Sequence, residues 1–223
     1  MPQRSWQLVV LDMAGTTVRD DGMVEASVAA AVDAVEPGRV VTACDFVEAR
    51  GLPKIELFGA LFGRDHPDAE KALAVFEQDL LARAAAGAVT AVDGAPAALE
   101  ALRTGGAAVY LATGFPRAVT DAIIASLGWG DLADGIVVPD TTLRGRPHPD
   151  LILSAALAVG VDAVSRIAVV GDTVNDLRTA ANAGAGAAIG VLTGAHDRAR
   201  LETVPHTAIV DSIADVPATL AGS

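Results

Sequence analysis

The chain has 223 residues, of which 52% are hydrophobic and 20% charged, and this composition favours a globular fold with a large core over a disordered segment. Its net charge of -12 argues against nucleic acid or an anionic membrane as a partner, because the overall field would repel their phosphates. The single cysteine, Cys44, excludes an internal disulfide, and no apolar run reaches membrane-spanning length. Since no secretory signal is recognisable, the cytoplasm is the expected compartment.

Short apolar runs alternate with helical patterns along most of the chain, which is typical of βαβ units around a parallel sheet. The predicted strands are 7–11, 107–112, 135–138, 167–171, 187–190 and 208–210. The predicted helices of the same region are 95–103, 117–126, 149–158, 174–183 and 213–220.

Residues from about 24 to 91 interrupt this alternation. Their apolar side chains recur at helical spacing, and the segment contains no convincing strand. We therefore predict an α/β fold, with a doubly wound Rossmann-like core, a parallel sheet and an inserted all-helical cap. The core comprises residues 1–20 and 92–223, and the cap comprises residues 21–91.

The first predicted strand ends in a carboxylate and a turn, Asp12-Met13-Ala14-Gly15-Thr16-Thr17. Open α/β sheets bind their ligands beyond the carboxyl ends of the strands, so Asp12 is a candidate nucleophile. A strand-ending aspartate that stands alone can equally be a helix N-cap. Ala14 can neither donate nor accept a proton, so a second acid is missing two residues after the candidate nucleophile.

Three further polar sites follow predicted strands or lie between them. They are Thr113-Gly114, Arg146 in Gly145-Arg146-Pro147, and Asp172 with Asp176. Phosphoryl transfer needs a nucleophile, a divalent cation, fixed hydrogen-bond donors and a cationic side chain, and these sites together with Asp12 supply the protein groups.

Asp12, Asp172 and Asp176 can bring carboxylate oxygens to one cation, with the backbone carbonyl of Ala14 as a further ligand. Such a set of oxygen ligands suits octahedral Mg²⁺, which we predict as the cofactor. The alternatives are that Asp172 is the N-cap of the following helix and that Asp176 is a solvated surface acid.

The order of these sites resembles the haloacid dehalogenase (HAD) superfamily of aspartate-nucleophile hydrolases, and the resemblance covers nearly the whole chain. It implies a transient aspartyl-phosphate on Asp12 and hydrogen bonds to phosphate oxygens from Thr113 and the Gly114 amide. It implies that Arg146 pairs with the nucleophile and the phosphoryl group, and that Asp172 and Asp176 serve the metal.

The run Asp-x-Ala-Gly-Thr-Thr resembles the phosphonatase branch, phosphonoacetaldehyde hydrolase and its near relatives, in which the second acid is absent. The resemblance implies a cap lysine that forms an imine with the substrate aldehyde and accepts electrons as the carbon-phosphorus bond breaks. Lys54, in Gly51-Leu52-Pro53-Lys54, stands at the matching place, and burial under the cap should lower its pKa. The alternative is an exposed lysine at a helix start, paired with Glu48 or Glu56.

Three positions depart from the phosphonatase pattern: Leu57 replaces a histidine, Arg50 a methionine and Met13 a tryptophan. Hydrolysis of phosphonoacetaldehyde or a related phosphonate is the first hypothesis. A phosphomonoesterase acting on a small phosphorylated metabolite is the second, and a catalytically weak binding protein with this fold is the third. The expected partner is a small anionic phosphonate or phosphate ester. Phe58 and Phe62 either form a dimer patch on the cap or pack its own core.

Overall fold

A computed structural model describes residues 6–42, 50–63 and 67–222. Six parallel strands form one sheet with the spatial order β3-β2-β1-β4-β5-β6. The strands are β1 (Leu8–Asp12), β2 (Ala108–Ala112), β3 (Gly135–Val137), β4 (Ile167–Gly171), β5 (Ala187–Val191) and β6 (Ala208–Val210). The predicted α/β fold with a parallel sheet is confirmed.

The helices of the described residues fall into two groups. Those inserted after the first strand are α1 (Met23–Val35), α2 (Lys54–Phe62) and α3 (Pro67–Ala85). Those that alternate with the later strands are α4 (Ala95–Thr104), α5 (Arg117–Leu127), α6 (Asp150–Val159), α7 (Val174–Ala183), α8 (Arg198–Leu201) and α9 (Val216–Ala221). None of the helices so described is both long and apolar enough to cross a membrane.

The sheet is covered on both faces, which explains why its strands read as continuous apolar runs. Every residue of β1 is buried. Val9 and Leu11 join the hydrophobic cluster that also contains the cap helices, whereas Leu8 and Val10 join the cluster under α6 and α7. This alternation follows from the two-residue period of side chains along a strand.

The strand order places a topological switch point at the centre of the sheet. From β1 the chain moves outward through β2 and β3, and it then returns to β4 on the opposite side of β1. The register pairs Leu11 with Val170, so the carboxyl ends of β1 and β4 lie side by side. Ligands of open α/β sheets bind in the crevice at such a point.

The cap helices pack on one another and on the core. α3 contacts α1 and α2 and also α5 of the core. Phe58 of α2 is fully buried and meets Phe76 of α3 edge to face, with 5.9 Å between ring centroids. Phe58 therefore packs inside the cap and does not contribute to a dimer patch. The homodimer remains a prediction, and Phe58 no longer supports it.

The chain enters and leaves the cap at adjacent points. The Arg19 amide donates to the Thr90 carbonyl, and the Val92 amide donates to the Thr17 carbonyl, each at 2.9 Å. Within the described part of 21–91 the regular elements are helices. The domain limits at 20/21 and 91/92 stay a prediction.

One predicted helix, 213–220, is divided in the structure. Ser212 and Asp215 form a capping box that closes a 3₁₀ turn, Ile213–Asp215. Pro217 lies in the first turn of α9, where a backbone N–H would have no partner within the helix, so proline is tolerated there. Local capping therefore produces two short helical pieces where the apolar spacing predicted one.

Candidate active site

Asp12 lies at the carboxyl end of β1 and is only 6% exposed. The chain then turns sharply at Gly15, which has φ +86°. A Cβ at Gly15 would lie 2.5 Å from Oδ2 of Asp172, so only glycine lets the turn approach that carboxylate. The turn thus brings the loop after β1 against the loop after β4.

Asp172 follows β4 and is held by both neighbouring loops. Its Oδ2 accepts the Ala195 amide at 2.7 Å, and its Oδ1 accepts the Thr16 hydroxyl at 3.3 Å. The N-cap of α7 is Thr173, so the alternative role of Asp172 as that cap is wrong. The carboxylate remains directed at the switch point.

Asp176 lies in the first turn of α7 and is buried, so it is not a solvated surface acid. Its Oδ2 accepts the Thr173 amide at 3.0 Å and also the Thr173 hydroxyl, while the Asp176 amide donates back to that hydroxyl. This capping box fixes the carboxylate and starts the helix in the same place.

Arg146 lies between two of the acids. Its Nη2 donates to Oδ1 of Asp12 and its Nη1 donates to Oδ1 of Asp176. Nη2 is also 3.3 Å from the Ala112 carbonyl oxygen. Burial lowers the pKa of Arg146, but the Asp12 and Asp176 charges outweigh it and raise the pKa above its usual value. The guanidinium therefore stays charged.

The three carboxylates form a cluster in which one ligand oxygen from each lies within 4.8 Å of the others. Burial raises the pKa of Asp12 to about 6, with a further contribution from Asp176 and opposition from Arg146. Burial also raises the pKa of Asp172, which Asp12 reinforces. Burial and mutual repulsion disfavour the charged form of these carboxyl groups. A hard divalent cation bound between their oxygens would offset the repulsion.

Thr113 and Gly114 follow β2 and line the same crevice as Asp12 and Ala14. The Thr113 hydroxyl is buried and accepts the Phe115 amide at 3.2 Å, which orients the loop. One crevice is thus lined by Asp12, Ala14, Thr113, Gly114, Arg146 and Asp172, and Asp176 joins them through the carboxylate cluster.

Lys54 is the first residue of α2 and is buried, with 7% of its surface exposed. Its Nζ lies 5.5 Å from the centroid of the Phe115 ring, and its amide donates to the Gly114 carbonyl at 3.3 Å. Burial lowers its pKa to about 8, with a further contribution from the Arg146 charge and partial opposition from Asp12. The alternative of an exposed lysine is wrong; Glu56 is exposed, and Glu48 lies outside the described residues.

The cap side of the crevice carries three charged residues, of which only Arg50 was named from the sequence, as a departure from the phosphonatase pattern. Asp20, Glu25 and Arg50 line it, and the Arg50 guanidinium pairs with Asp20 at 3.6 Å and with Glu25. Thr173 was also missed, although Thr-x-x-Asp before a helix is a capping signal that could have located it. Ala195 contributes through its backbone amide alone, which no side-chain pattern reveals.

A model of the haloacid dehalogenase-like hydrolases matches residues 6–184. The chain belongs to this family. It is 30% identical over 219 residues to a probable phosphatase IndB of Dickeya dadantii, a match that covers 94% of the chain and 91% of the relative.

This HAD hydrolase is also 30% identical over 109 residues to a phosphonoacetaldehyde hydrolase of Bacillus cereus (strain B4264), a match covering 48% of the chain and 41% of that relative. A hydrolase from Pseudomonas syringae superposes with a TM-score of 0.84 at 22% identity, covering 96% of this chain and 97% of the other. A phosphonoacetaldehyde hydrolase like protein from Oleispira antarctica gives 0.84 at 20% identity, covering 98% and 92%. At these identities, the two structures establish the shared fold.

Proposed function

We propose that the chain is a Mg²⁺-dependent hydrolase that cleaves the carbon-phosphorus bond of phosphonoacetaldehyde or a related phosphonate aldehyde. Asp12 accepts the phosphoryl group and Lys54 forms an imine with the aldehyde. The observation that carries the proposal is the Lys54 amine, buried in the crevice that Asp12 lines and with its pKa lowered to about 8. An amine with that pKa is neutral in a substantial fraction of molecules near pH 8, as imine formation requires.

The neutral Lys54 amine adds to the aldehyde carbon, and the adduct takes up one proton from solvent and loses water, which leaves a protonated imine. A carboxylate oxygen of Asp12 then attacks phosphorus, and the electron pair of the breaking bond moves into the imine to give an enamine. Protonation of the enamine carbon and hydrolysis release acetaldehyde and free Lys54. A second water releases phosphate from Asp12. The absence of an acid at Ala14 fits this sequence, because no leaving oxygen needs a proton.

The remaining site residues would bind the phosphoryl group and the metal ion and orient Asp12. Arg146 holds Asp12 and would pair with the phosphoryl oxygens, to which Thr113 and the Gly114 amide would donate. Asp12, Asp172 and Asp176, with the backbone carbonyl of Ala14, would hold Mg²⁺. When bound, that ion neutralises charge on the phosphoryl group.

A phosphomonoesterase is the second candidate. The probable phosphatase IndB matches over 94% of the chain, whereas the phosphonoacetaldehyde hydrolase of strain B4264 matches over 48%. In addition, the buried Leu57 lines the crevice where phosphonatases carry a histidine, and its side chain transfers no proton. A catalytically weak binding protein is the third candidate, and the complete set of groups argues against it because binding alone would not need them all.

Borohydride trapping separates the first two candidates. With phosphonoacetaldehyde, borohydride should reduce an imine at Lys54 and leave a stable adduct on the peptide that contains it. Lys54→Ala should abolish both the adduct and phosphate release, and Lys71→Ala is the matched control, since Lys71 is the other lysine and is exposed. No adduct, with Lys54→Ala still releasing phosphate from phosphonoacetaldehyde, would contradict the imine.

Asp12→Asn tests the nucleophile independently of the substrate. Across a panel of phosphonates and phosphate esters, turnover should fall by at least about a thousandfold, because an amide cannot accept the phosphoryl group. Turnover of esters alone would favour the phosphomonoesterase. No turnover of any substrate by the unmodified chain would favour the binding protein.

A further inference from the structure

The loop of residues 50–53, which leads into Lys54, is pressed against the core at several points. A Cβ at Gly51, where φ is +79°, would lie 2.8 Å from Oγ1 of Thr173. A Cβ at Gly114 would lie 2.5 Å from the Leu52 carbonyl oxygen, and one at Gly145 would lie 2.1 Å from Cγ of Pro53. This approach is possible because glycine stands on one side of each contact.

Arg50 joins this loop to both parts of the molecule. Its side chain pairs with Glu25 of α1 and with Asp20. Its backbone carbonyl accepts a hydrogen bond of 2.6 Å from Nδ2 of Asn175 in α7. The guanidinium therefore ties the loop to the cap, and the carbonyl ties it to the core.

We propose that Asn175 is a positioning residue that holds loop 50–53 on the core and thereby keeps Lys54 in the crevice. Asn175 is buried in the first turn of α7, between Asp172 and Asp176. The helix that carries Asp176 thus also fixes the part of the cap that carries the amine. The proposal rests on the proposed function only for its effect on turnover, since the placement of Lys54 can be measured without a substrate.

The size of the effect follows from the bond that is lost. A typical intramolecular hydrogen bond contributes about 0.5–1.5 kcal/mol, which converts to about a two- to twelvefold change in an equilibrium. Without the Asn175 amide the fraction of molecules with the loop lifted should rise by this factor. Arg50 keeps its pairs with the cap, so the loop should lift together with α2.

The two lysines of the chain supply the measurement. Lys54 is buried and Lys71 is exposed, so a bulky amine-reactive biotin ester should modify Lys71 quickly and Lys54 only when the loop lifts. The ratio of the two modification rates, read by mass spectrometry of the digested protein, reports the lifted fraction. Lys71 is an internal standard for reagent and pH.

Asn175→Ala should raise the Lys54 to Lys71 ratio about two- to twelvefold, and Asn175→Leu, which keeps the branched shape of the side chain without a donor, should raise it as well. The matched control is Asn182→Ala. Asn182 belongs to the same helix and donates to the Pro147 carbonyl at 2.8 Å within the core, so its loss should leave the ratio unchanged. A ratio unchanged in both Asn175 variants, or raised equally by Asn182→Ala, would overturn the proposal. Circular dichroism at the labelling temperature verifies that each variant is folded.

Gly51→Ala tests the same placement by a steric route. The added methyl group would collide with the Thr173 hydroxyl, so this variant should also raise the labelling ratio. On phosphonoacetaldehyde, the Asn175 variants should lower kcat more than they raise KM, because the phosphoryl-binding residues are untouched. If the labelling ratio rises while no imine forms in any variant, the proposed function fails and the role of Asn175 stands.

Discussion

Burial of the Lys54 amine opposes folding, because the charged form loses its hydration. Its pKa is about 8 in the folded protein against 10.5 for a free side chain, so the unfolded chain binds the proton more tightly. The full destabilisation is therefore present below pH 8. It disappears as the pH rises from about 8 to 10.5, where the unfolded lysine also loses its proton.

Lys54→Met should stabilise the protein while abolishing imine formation. At pH 7 the free energy of unfolding should rise by on the order of 2–3 kcal/mol, and the gain should shrink as the pH approaches 10. Urea unfolding at pH 7 and pH 10 measures both values. Lys71→Met is the control and should change stability little, since Lys71 is exposed and its ion pair with Asp68 lies at the surface. A loss of stability in Lys54→Met would contradict the pKa shift.

The lowered pKa of Lys54 also predicts how the rate of imine trapping depends on pH. Neutral amine is the reactive form, so trapping at Lys54 should increase as the pH rises through about 8 and then level off. Borohydride trapping from pH 6.5 to 9.5 provides the profile. A trapping rate that is still rising steeply at pH 9.5, with no levelling off, would show that Lys54 is not buried when the imine forms.

At this scale the sequence predicted the site residues that follow strands and did not predict the Ala195 amide, which holds Asp172. Asp12 and Asp172 could be predicted because parallel strands bring their carboxyl ends to one edge of the sheet. The role of the Ala195 amide could not be predicted, because almost every residue type offers the same backbone N–H. Arg50, Glu25 and Asp20 meet only through the packing of α1 beside the loop, which no local pattern encodes.

Helix α7 carries Asp176, and its first turn is determined locally. Thr173 and Asp176 close a capping box, and Gly184 with φ +68° ends the helix. Both signals are present in the sequence, so the predicted bounds 174–183 agree with the structure. The predicted helix 213–220 shows the opposite outcome, since a second capping box divides it.

Thr173→Ala should weaken both the helix and the metal site. Loss of an N-cap destabilises by about 1–2 kcal/mol, and Asp176 would lose the hydroxyl that fixes its carboxylate. Thermal unfolding should show the loss, and Mg²⁺ titration followed by thermal shift should show weaker binding. Ser212→Ala removes the capping box of the 3₁₀ turn Ile213–Asp215, which holds none of the three clustered acids, and should lower stability without changing the Mg²⁺ response. Equal Mg²⁺ responses in the two variants would contradict this role of Thr173.

Across the whole molecule one hydrophobic cluster joins the cap to the sheet. Phe76 of α3 touches Phe58 of the cap, and its ring centroid lies 6.3 Å from that of Phe115 in the core. Helical spacing indicated that such apolar faces exist. It did not indicate that α3 would pack on α5, because the partner of an amphipathic face depends on the complete arrangement of helices.

This shared cluster predicts that cap and core unfold together. Both tryptophans, Trp6 and Trp129, belong to the core side of the cluster, so fluorescence reports the core while circular dichroism reports all the helices. The two urea transitions should coincide, and Phe76→Ala should shift both by about 3–5 kcal/mol. Transitions that separate, with fluorescence unchanged in Phe76→Ala, would show that the cap is stabilised independently.

The two backbone hydrogen bonds at the base of the cap insertion, Val92 to Thr17 and Arg19 to Thr90, have an evolutionary consequence. Because the two ends of the insertion already lie side by side, a change in the length of the chain between them alters the entropy of loop closure only slightly. Helices can be lengthened, shortened or exchanged there by recombination while Asp12, Thr113, Arg146 and Asp172 keep their places. Under the proposed function, the lysine that binds the aldehyde and the residues that bind the phosphoryl group therefore lie on separate stretches of the gene, and mutations can change one stretch while the other is kept.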